Sequence, residues 1–385
     1  MKGGDMIYFD NAATSRMKPE CVFDAYMYYL KNIGTSPGRG SYKLAIEASR
    51  MLYQARKTIA KYFGVREPSN VVFTKNSTEA INLFLRGYLK KGDHVLISPL
   101  EHNAVLRPLH ALKEKGIISY TVLPEDVFYK ETKQIDQFIL PNTRLGVFTL
   151  ASNLTGQLVF SSKVALELKK RGIDVFVDAS QGGGKGFLHM QKDAIDYLAF
   201  TGHKDLMGLP GVGGLCSLRE LKIEPLIQGG TGIRGDSYLN PEIFPEAYES
   251  GTLNMPAIWA LKAAVDYVSE NQHWINKTEA ELMEYLIKAL VRIPEIEIYR
   301  VEKERVSTIC FNVNDIKSSE VVERLSKKDI CVRGGIHCAI LAHETLGTVK
   351  TGAIRVSLNS FNTKKEIKLF INALEEIIAD VSNIL

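Results

Sequence analysis

Apolar runs that break off at polar residues recur along the first two thirds of the chain. VVFT (71–74), HVLIS (94–98), RLGVFTL (144–150), IDVFV (173–177) and YLAFT (197–201) are short and rich in β-branched and aromatic residues. Continuous runs of this kind predict strands buried on both faces, as in a parallel sheet. Between them, apolar residues recur at helical spacing in EASRMLYQARKTIAKYFG (47–64), AINLFLRGYL (80–89), VLRPLHALKEKG (105–116) and KVALELKKRG (163–172). The first of these stops at Gly64, a residue suited to a helix C-terminus. Alternation of this sort over residues 45–225 predicts a mostly parallel sheet wrapped by helices. The stretch 229–256, rich in Gly, Pro and Asn, predicts a long loop. Beyond it the pattern changes. A helix over AIWALKAAVDYVSENQ (257–272) leads to strands STICFNV (307–313) and GAIRVSLN (352–359), with helices SEVVERLSKK (319–328) and KKEIKLFINALEEII (364–378). The expected division is a large α/β domain over 16–256 and a smaller C-terminal α+β domain over 257–385, with residues 1–15 packing on the latter.

Composition narrows the function classes. The 385 residues are 45% hydrophobic and 24% charged, ordinary for a globular chain with a large core. The net charge is +4 and the basic residues are scattered, so no nucleic-acid partner is expected. The start, MKGGDMIYFD, lacks an apolar signal core, and no run approaches the ~20 apolar residues that span a bilayer. Five cysteines without a CxxC pair disfavour a disulfide framework and a zinc site, so a reducing, cytoplasmic location is expected. Cys21, Cys216, Cys310 and Cys331 read as small buried hydrophobes. Cys338 stands apart, for its surrounding motif.

The chemistry gathers where the predicted strands end. VDASQ (177–181) brings Asp178, Ser180 and Gln181, and AFTGHK (199–204) brings Thr201, His203 and Lys204. Ligands of open α/β sheets collect just beyond the carboxyl ends of the strands. An acid, an amide, a hydroxyl, an imidazole and an amine converging there suit pyridoxal 5'-phosphate, which needs a lysine for its Schiff base and an acid on its pyridine nitrogen. NSTEA (76–80) opens a helix with Asn76 as its cap, and the free amides of Ser77, Thr78 and Glu79 make an anion site for a phosphate. EHNA (101–104) offers His102, to stack on a flat ring or shuttle a proton near neutral pH. SNLTG (152–156) offers Asn153 at a strand tip, for a carboxylate or a ring hydroxyl, unless the string is a plain turn. GTGIRG (230–235) matches a dinucleotide fingerprint literally, but DSYLNPEIF follows it instead of a helix, so it reads as loop; GGGKG (182–186) reads as a turn.

YFDNAAT (8–14), NSTEA, EHNA, SNLTG, VDASQ, TGHK, SGTLNMP (250–256), RGGIHC (333–338) and IRVSLNSFNT (354–363) occur in this order. Together they resemble the class V aminotransferase family, and within it the cysteine desulfurases. The short stretch between Cys338 and Arg355 is similar to the Suf/Csd-type branch. The resemblance implies fold type I of the pyridoxal-phosphate transferases and a homodimer. It implies that Lys204 forms the Schiff base and moves protons, Asp178 pairs with the ring nitrogen, Gln181 bonds the ring hydroxyl and His102 lies against the ring. Ser77, Thr78, Thr201 and His203 would hold the phosphate, joined by Thr252 of the neighbouring subunit. Asn153 and Arg355 would receive the substrate carboxylate, Arg355 as a bidentate fork, while Arg333 favours a thiolate or shapes the loop. Cys338 would attack the sulfur of L-cysteine, releasing L-alanine and passing a persulfide to a protein acceptor, as in iron–sulfur cluster assembly.

Two physical points accompany these roles. A free lysine with a pKa of roughly 10.4 is a poor nucleophile at neutral pH, and burial and nearby cations lower it. Cys338 needs a proton acceptor, for which the adjacent His337 is placed by sequence alone. His343 and Glu344 read as solvated loop residues. Selenocysteine lyase is the first rival reading, with the same apparatus. A class V aminotransferase or epimerase without sulfur chemistry is the second, and Cys338 weighs against it. An idle scaffold is the third, and intact Lys204, Asp178 and Arg355 weigh against it.

Overall fold

The computed structural model describes residues 6–38, 40–129 and 132–382. Its centre is a seven-stranded sheet in the order Val71–Thr74, Gly213–Ser217, Tyr197–Thr201, Asp174–Asp178, Thr143–Thr149, His94–Ile97, Ser119–Val122. From Tyr197–Thr201 to Ser119–Val122 every pair is parallel. Gly213–Ser217 runs antiparallel to both of its neighbours. Successive side chains leave opposite faces of a strand, and both faces here are packed. Val175, Val177, Leu198 and Phe200 enter one apolar cluster, while Phe176, Tyr197, Ala199 and Val147 enter another. That double burial is why the strands read as unbroken apolar runs.

The glycines of Gly213–Ser217 have a packing reason. A Cβ on Gly213 would press on the backbone of Asn76 and Phe200, and one on Gly214 on the Val72 carbonyl. Close approach there brings the helix start at Asn76 against the strand leading to Lys204.

A second sheet of four antiparallel strands has the order Arg333–Gly335, Ala353–Ser357, Thr308–Val313, Ile296–Ile298. Its apolar cluster joins Ile309, Phe311, Ile354 and Val356 to Leu282, Val321, Phe370 and Leu374 of the helices Gln272–Leu290, Ser318–Ser326 and Lys364–Ser382. The N-terminal strand Ile7–Tyr8 pairs parallel with Ile330–Cys331, and Asp10 bridges to Ser357. The expected helix over 257–272 is Met255–Glu270, and an unexpected one, Gln272–Leu290, follows directly.

Two readings from sequence need correction, and a third gains a burial that sequence did not suggest. Cys216 and Cys310 are buried, but Cys21 and Cys331 are only half-buried. His343 is no solvated loop residue: it lies fully buried in the helix Ile340–Leu346, whereas Glu344 is exposed as expected. GGGKG does form turns, yet Lys185 within it is buried, its Nζ 2.5 Å from Glu279 Oε2 on Gln272–Leu290.

Candidate active site

A cavity of about 260 Å³ opens at the carboxyl ends of the parallel strands. Asn76, Ser77, Thr78, His102, Asn153, Asp178, Gln181, Thr201, His203 and Lys204 all line it. Each is delivered by the loop or helix start that follows a strand, so the sheet collects residues scattered over the chain into one place.

Lys204 lies three residues beyond the end of Tyr197–Thr201, half-buried and lining the cavity. Burial pulls its pKa below the ordinary lysine range against the attraction of Asp178, and Arg355 and Arg333 act in the same direction as burial. Asp178 ends its strand and is 2% exposed. Burial pushes its carboxyl upward, opposed by the Ser180 hydroxyl at 2.5 Å, the Ser180 amide at 2.9 Å and the charge of Lys204. A partly desolvated amine thus faces a buried acid.

The phosphate side is built on the helix Ser77–Tyr88. Asn76 caps it, its Oδ1 accepting the Glu79 amide at 2.9 Å, while the Glu79 carboxylate accepts the Lys75 amide at 2.6 Å. The cap takes the Glu79 amide, and those of Ser77 and Thr78 stand at the positive end of the helix dipole. Opposite them, Thr201 Oγ1 and His203 Nδ1 are buried without a hydrogen-bond partner among the described residues. Burial and then Lys204 hold the His203 imidazole neutral, at a pKa of about 4. Unpartnered buried polar atoms beside a helix N-terminus fit a ligand phosphate. The donor set as a whole, an amine, a buried acid and an anion cradle around one cavity, fits pyridoxal 5'-phosphate.

His102 differs from the reading of its sequence. It caps the helix Asn103–Glu114 with Nδ1, which accepts the Ala104 amide at 3.0 Å. Burial, then Lys204, Arg355, Arg333 and Arg107, depress its pKa to about 4, far from neutrality. The neutral ring then carries its proton on Nε2. Gln181 also has a structural duty, since its Nε2 donates to the Ala12 carbonyl at 2.8 Å.

Arg355 is 1% exposed on the strand Ala353–Ser357, opposite Arg333 in register. It is not a free fork. Nη1 donates to the Asn153 carbonyl at 2.9 Å, Nη2 meets Asp10 Oδ1 at 2.5 Å, and the buried Nε has no partner among the described residues. Asn153 in turn donates from Nδ2 to the His337 carbonyl at 2.8 Å, and the Asn103 amide donates to the Cys338 carbonyl at 2.8 Å. These bonds fasten the exposed Cys338 to the rim of the lysine site. His337 and Cys338 both have positive φ, +53° and +55°. Beneath them His337 stacks on His343 with centroids 5.9 Å apart, and His343 Nδ1 lies 2.7 Å from Thr348 Oγ1. Burial and then Arg355 push the His337 pKa down to about 3, which leaves it a neutral ring. Thr252 is not brought to this cavity by its own chain; it lies exposed on the long loop after the sheet.

Sequence reasoning missed Asp10 and Glu101. Asp10 sat in a quoted motif without a role. Glu101, fully buried next to His102, accepts the Thr149 amide at 2.6 Å and the Ser98 hydroxyl. Its only local signal was an acid at the end of a strand reading as fully buried.

Residues 7–370 match the family Aminotransferase class-V. A probable cysteine desulfurase of Methanothermobacter thermautotrophicus is 32% identical over 382 residues, covering 97% of this chain and 95% of that protein. The structure of a cysteine desulfurase from Thermococcus onnurineus NA1 superposes with a TM-score of 0.89 at 29% identity, over 98% of this chain and 95% of that one. The Escherichia coli cysteine desulfurase CsdA superposes with a TM-score of 0.86 at 26% identity, over 97% and 95% of the two chains. With the match running over nearly its whole length, the chain belongs to the class-V aminotransferase family of pyridoxal-phosphate enzymes.

Proposed function

We propose that the protein is a cysteine desulfurase, converting L-cysteine to L-alanine and leaving the sulfur as a persulfide on Cys338. The observation that carries the reading is an exposed cysteine whose own carbonyl, and that of its neighbour His337, are tied to Asn103 and Asn153 at the edge of a cavity holding Lys204 and Asp178. An enzyme that only moved protons or amino groups would need no thiol there.

The cofactor, when bound, supplies an electrophilic carbon for amines and a ring that withdraws electrons from the substrate's α-carbon. The chain supplies the rest. Lys204 would hold the cofactor covalently, and burial, which pulls its pKa below the ordinary lysine range, would help it give and take protons. Asp178 would pair with the ring nitrogen and favour its protonated form, a cation that would offset the burial raising the acid's pKa. Ser77, Thr78, Thr201 and His203 would anchor the phosphate, and Gln181 and His102 would hold the ring. Arg355 and Asn153 orient the substrate carboxylate. Cys338 attacks the substrate sulfur as a thiolate. A sulfur–sulfur bond forms, the substrate's carbon–sulfur bond breaks, and the carbon takes a proton to become alanine. Arg333, opposite Arg355 in the sheet, shapes the segment that carries Cys338.

The test is direct. The protein, carrying its cofactor, is incubated with L-cysteine and the peptide containing Cys338 is weighed. It is expected to gain one sulfur atom, with L-alanine appearing in step. Cys338→Ala is expected to lower alanine formation by about a hundredfold or more while the cofactor's absorption is retained. A variant that keeps full turnover ends the sulfur-transfer reading.

A further inference from the structure

Arg355 does not wait with an empty guanidinium. The structure gives it a resident carboxylate, Asp10, at 2.5 Å. The two residues stand 345 positions apart, and the contact is built with care. Asp10 forms a parallel bridge with Ser357, two residues beyond Arg355. The Asn11 side chain donates to the Ser357 carbonyl at 3.0 Å, and the Ala12 amide donates to the Ser357 hydroxyl at 2.8 Å. The N-terminal segment is therefore sewn to the strand that carries Arg355, so that the acid reaches the base. The Asp10 side chain is 21% exposed and that of Arg355 is 1% exposed.

The other charges near Arg355 repel it or are shared. Arg333 lies opposite it in the sheet, and Lys204 is close enough for Arg355 to depress its pKa. A buried cation among cations holds any anion strongly unless something neutralises part of its charge. The buried Nε–H of Arg355 has no hydrogen-bond partner among the described residues. A carboxylate arriving at Nε would share the guanidinium with Asp10 and feel its negative charge.

We propose that Asp10 is the counter-ion of the amino-acid carboxylate site, a positioning residue that orients Arg355 and weakens its hold on the bound amino acid so that product leaves. The proposal rests on Arg355 receiving the substrate carboxylate. Charges a few ångströms apart in a partly buried site shift a binding constant by at least about tenfold. Asp10 therefore trades ground-state affinity for release.

Asp10→Asn keeps the shape and the acceptor oxygen and removes the charge. The holoenzyme is titrated with L-alanine, read by the change in cofactor absorption, and KM and kcat are measured with L-cysteine. The expected result is an alanine dissociation constant about tenfold lower, a lower KM, and a lower kcat because alanine is retained. L-Alaninamide, which lacks the carboxylate, should bind the variant and the wild type alike. Asp10→Glu should restore the wild-type alanine affinity. Loss of a merely structural contact loosens binding, so an alanine constant that is unchanged or raised overturns the proposal, as does equal tightening of L-alaninamide. Should Asp10→Asn fail to fold, Asp10→Ser carries the same expectation. The alanine titration reads any α-amino-acid site. A wild-type enzyme that makes no alanine from cysteine would remove the desulfurase reading and leave this result standing.

Discussion

At the scale of single residues, the site depends on charges kept out of water, and Glu101 is the most exposed to test. It is fully buried, its Oε2 has no hydrogen-bond partner among the described residues, and burial pushes its pKa from 4.5 to about 8, with the Ser98 hydrogen bond opposing the rise and Asp178 adding to it. Between those values the folded protein holds a proton that the unfolded chain releases. Its stabilising contribution is complete below pH 4.5 and is lost as pH rises through about 8. Glu101→Gln removes this dependence. Between pH 5 and pH 8, the melting temperature of the variant relative to the wild type should rise by about 4 °C or more. A parallel pair of curves would mean that Glu101 is ionised in the fold. The site residues that sequence revealed, Lys204, Asp178, Asn76 and His102, share a local signature: each follows an apolar run or opens a helix. Asp10 and His343 have none, and Glu101 has only its place after a buried strand. Their meaning comes from partners such as Arg355 and Thr149 that only the fold brings near.

At the scale of elements, legibility followed burial. Strands packed on both faces appear as apolar runs, so Val71–Thr74 and Tyr197–Thr201 were readable to the residue. Gly213–Ser217 was not, because close backbone contacts demand glycine where a strand former is expected. Ser119–Val122 is an edge strand whose residues are exposed or half-buried, which erases the run. Gln272–Leu290 hid for a different reason: it buries Glu279 on its apolar face, to meet Lys185. Single turns carry comparable weight. Gly156, at the end of SNLTG, has φ +75°, its carbonyl accepts the Val306 amide at 2.8 Å, and a Cβ there would overlap the Thr308 carbonyl. Neither the left-handed backbone nor the close approach tolerates a side chain. Gly156→Ala should therefore destabilise by more than about 2 kcal/mol. It should also loosen amino-acid binding, since Asn153 is three residues away. Chemical denaturation followed by cofactor absorption measures both. A variant as stable as the wild type would mean that the second sheet can move away from this turn.

At the scale of the whole molecule, the chain leaves an apolar surface that one copy does not cover. Tyr28, Leu30, Tyr42, Leu44, Ile46 and Tyr53 are exposed on or beside the first helices, and Ile227, Ile233, Tyr238, Leu239 and Ile243 on the long loop. Between the two groups runs a groove of about 400 Å³, lined by Pro37, Tyr53, Ile233 and Ile243 among others. Contiguous exposed apolar surface marks an interaction site. Thr252 sits at the end of the same loop, exposed, in a motif with no duty in its own cavity. These facts favour a two-fold dimer in which each copy's loop crosses to the other and adds the Thr252 hydroxyl to the phosphate cradle. In such an assembly the groove is an interface, and a single chain has an incomplete site. Sedimentation equilibrium should then give twice the 43.0 kDa of one chain. Thr252→Val should leave that mass unchanged and speed cofactor loss about fivefold, the effect of one hydrogen bond of about 1 kcal/mol. A monomer that retains its cofactor, or a valine variant that releases it at the wild-type rate, would confine the phosphate to Ser77, Thr78, Thr201 and His203 of a single chain.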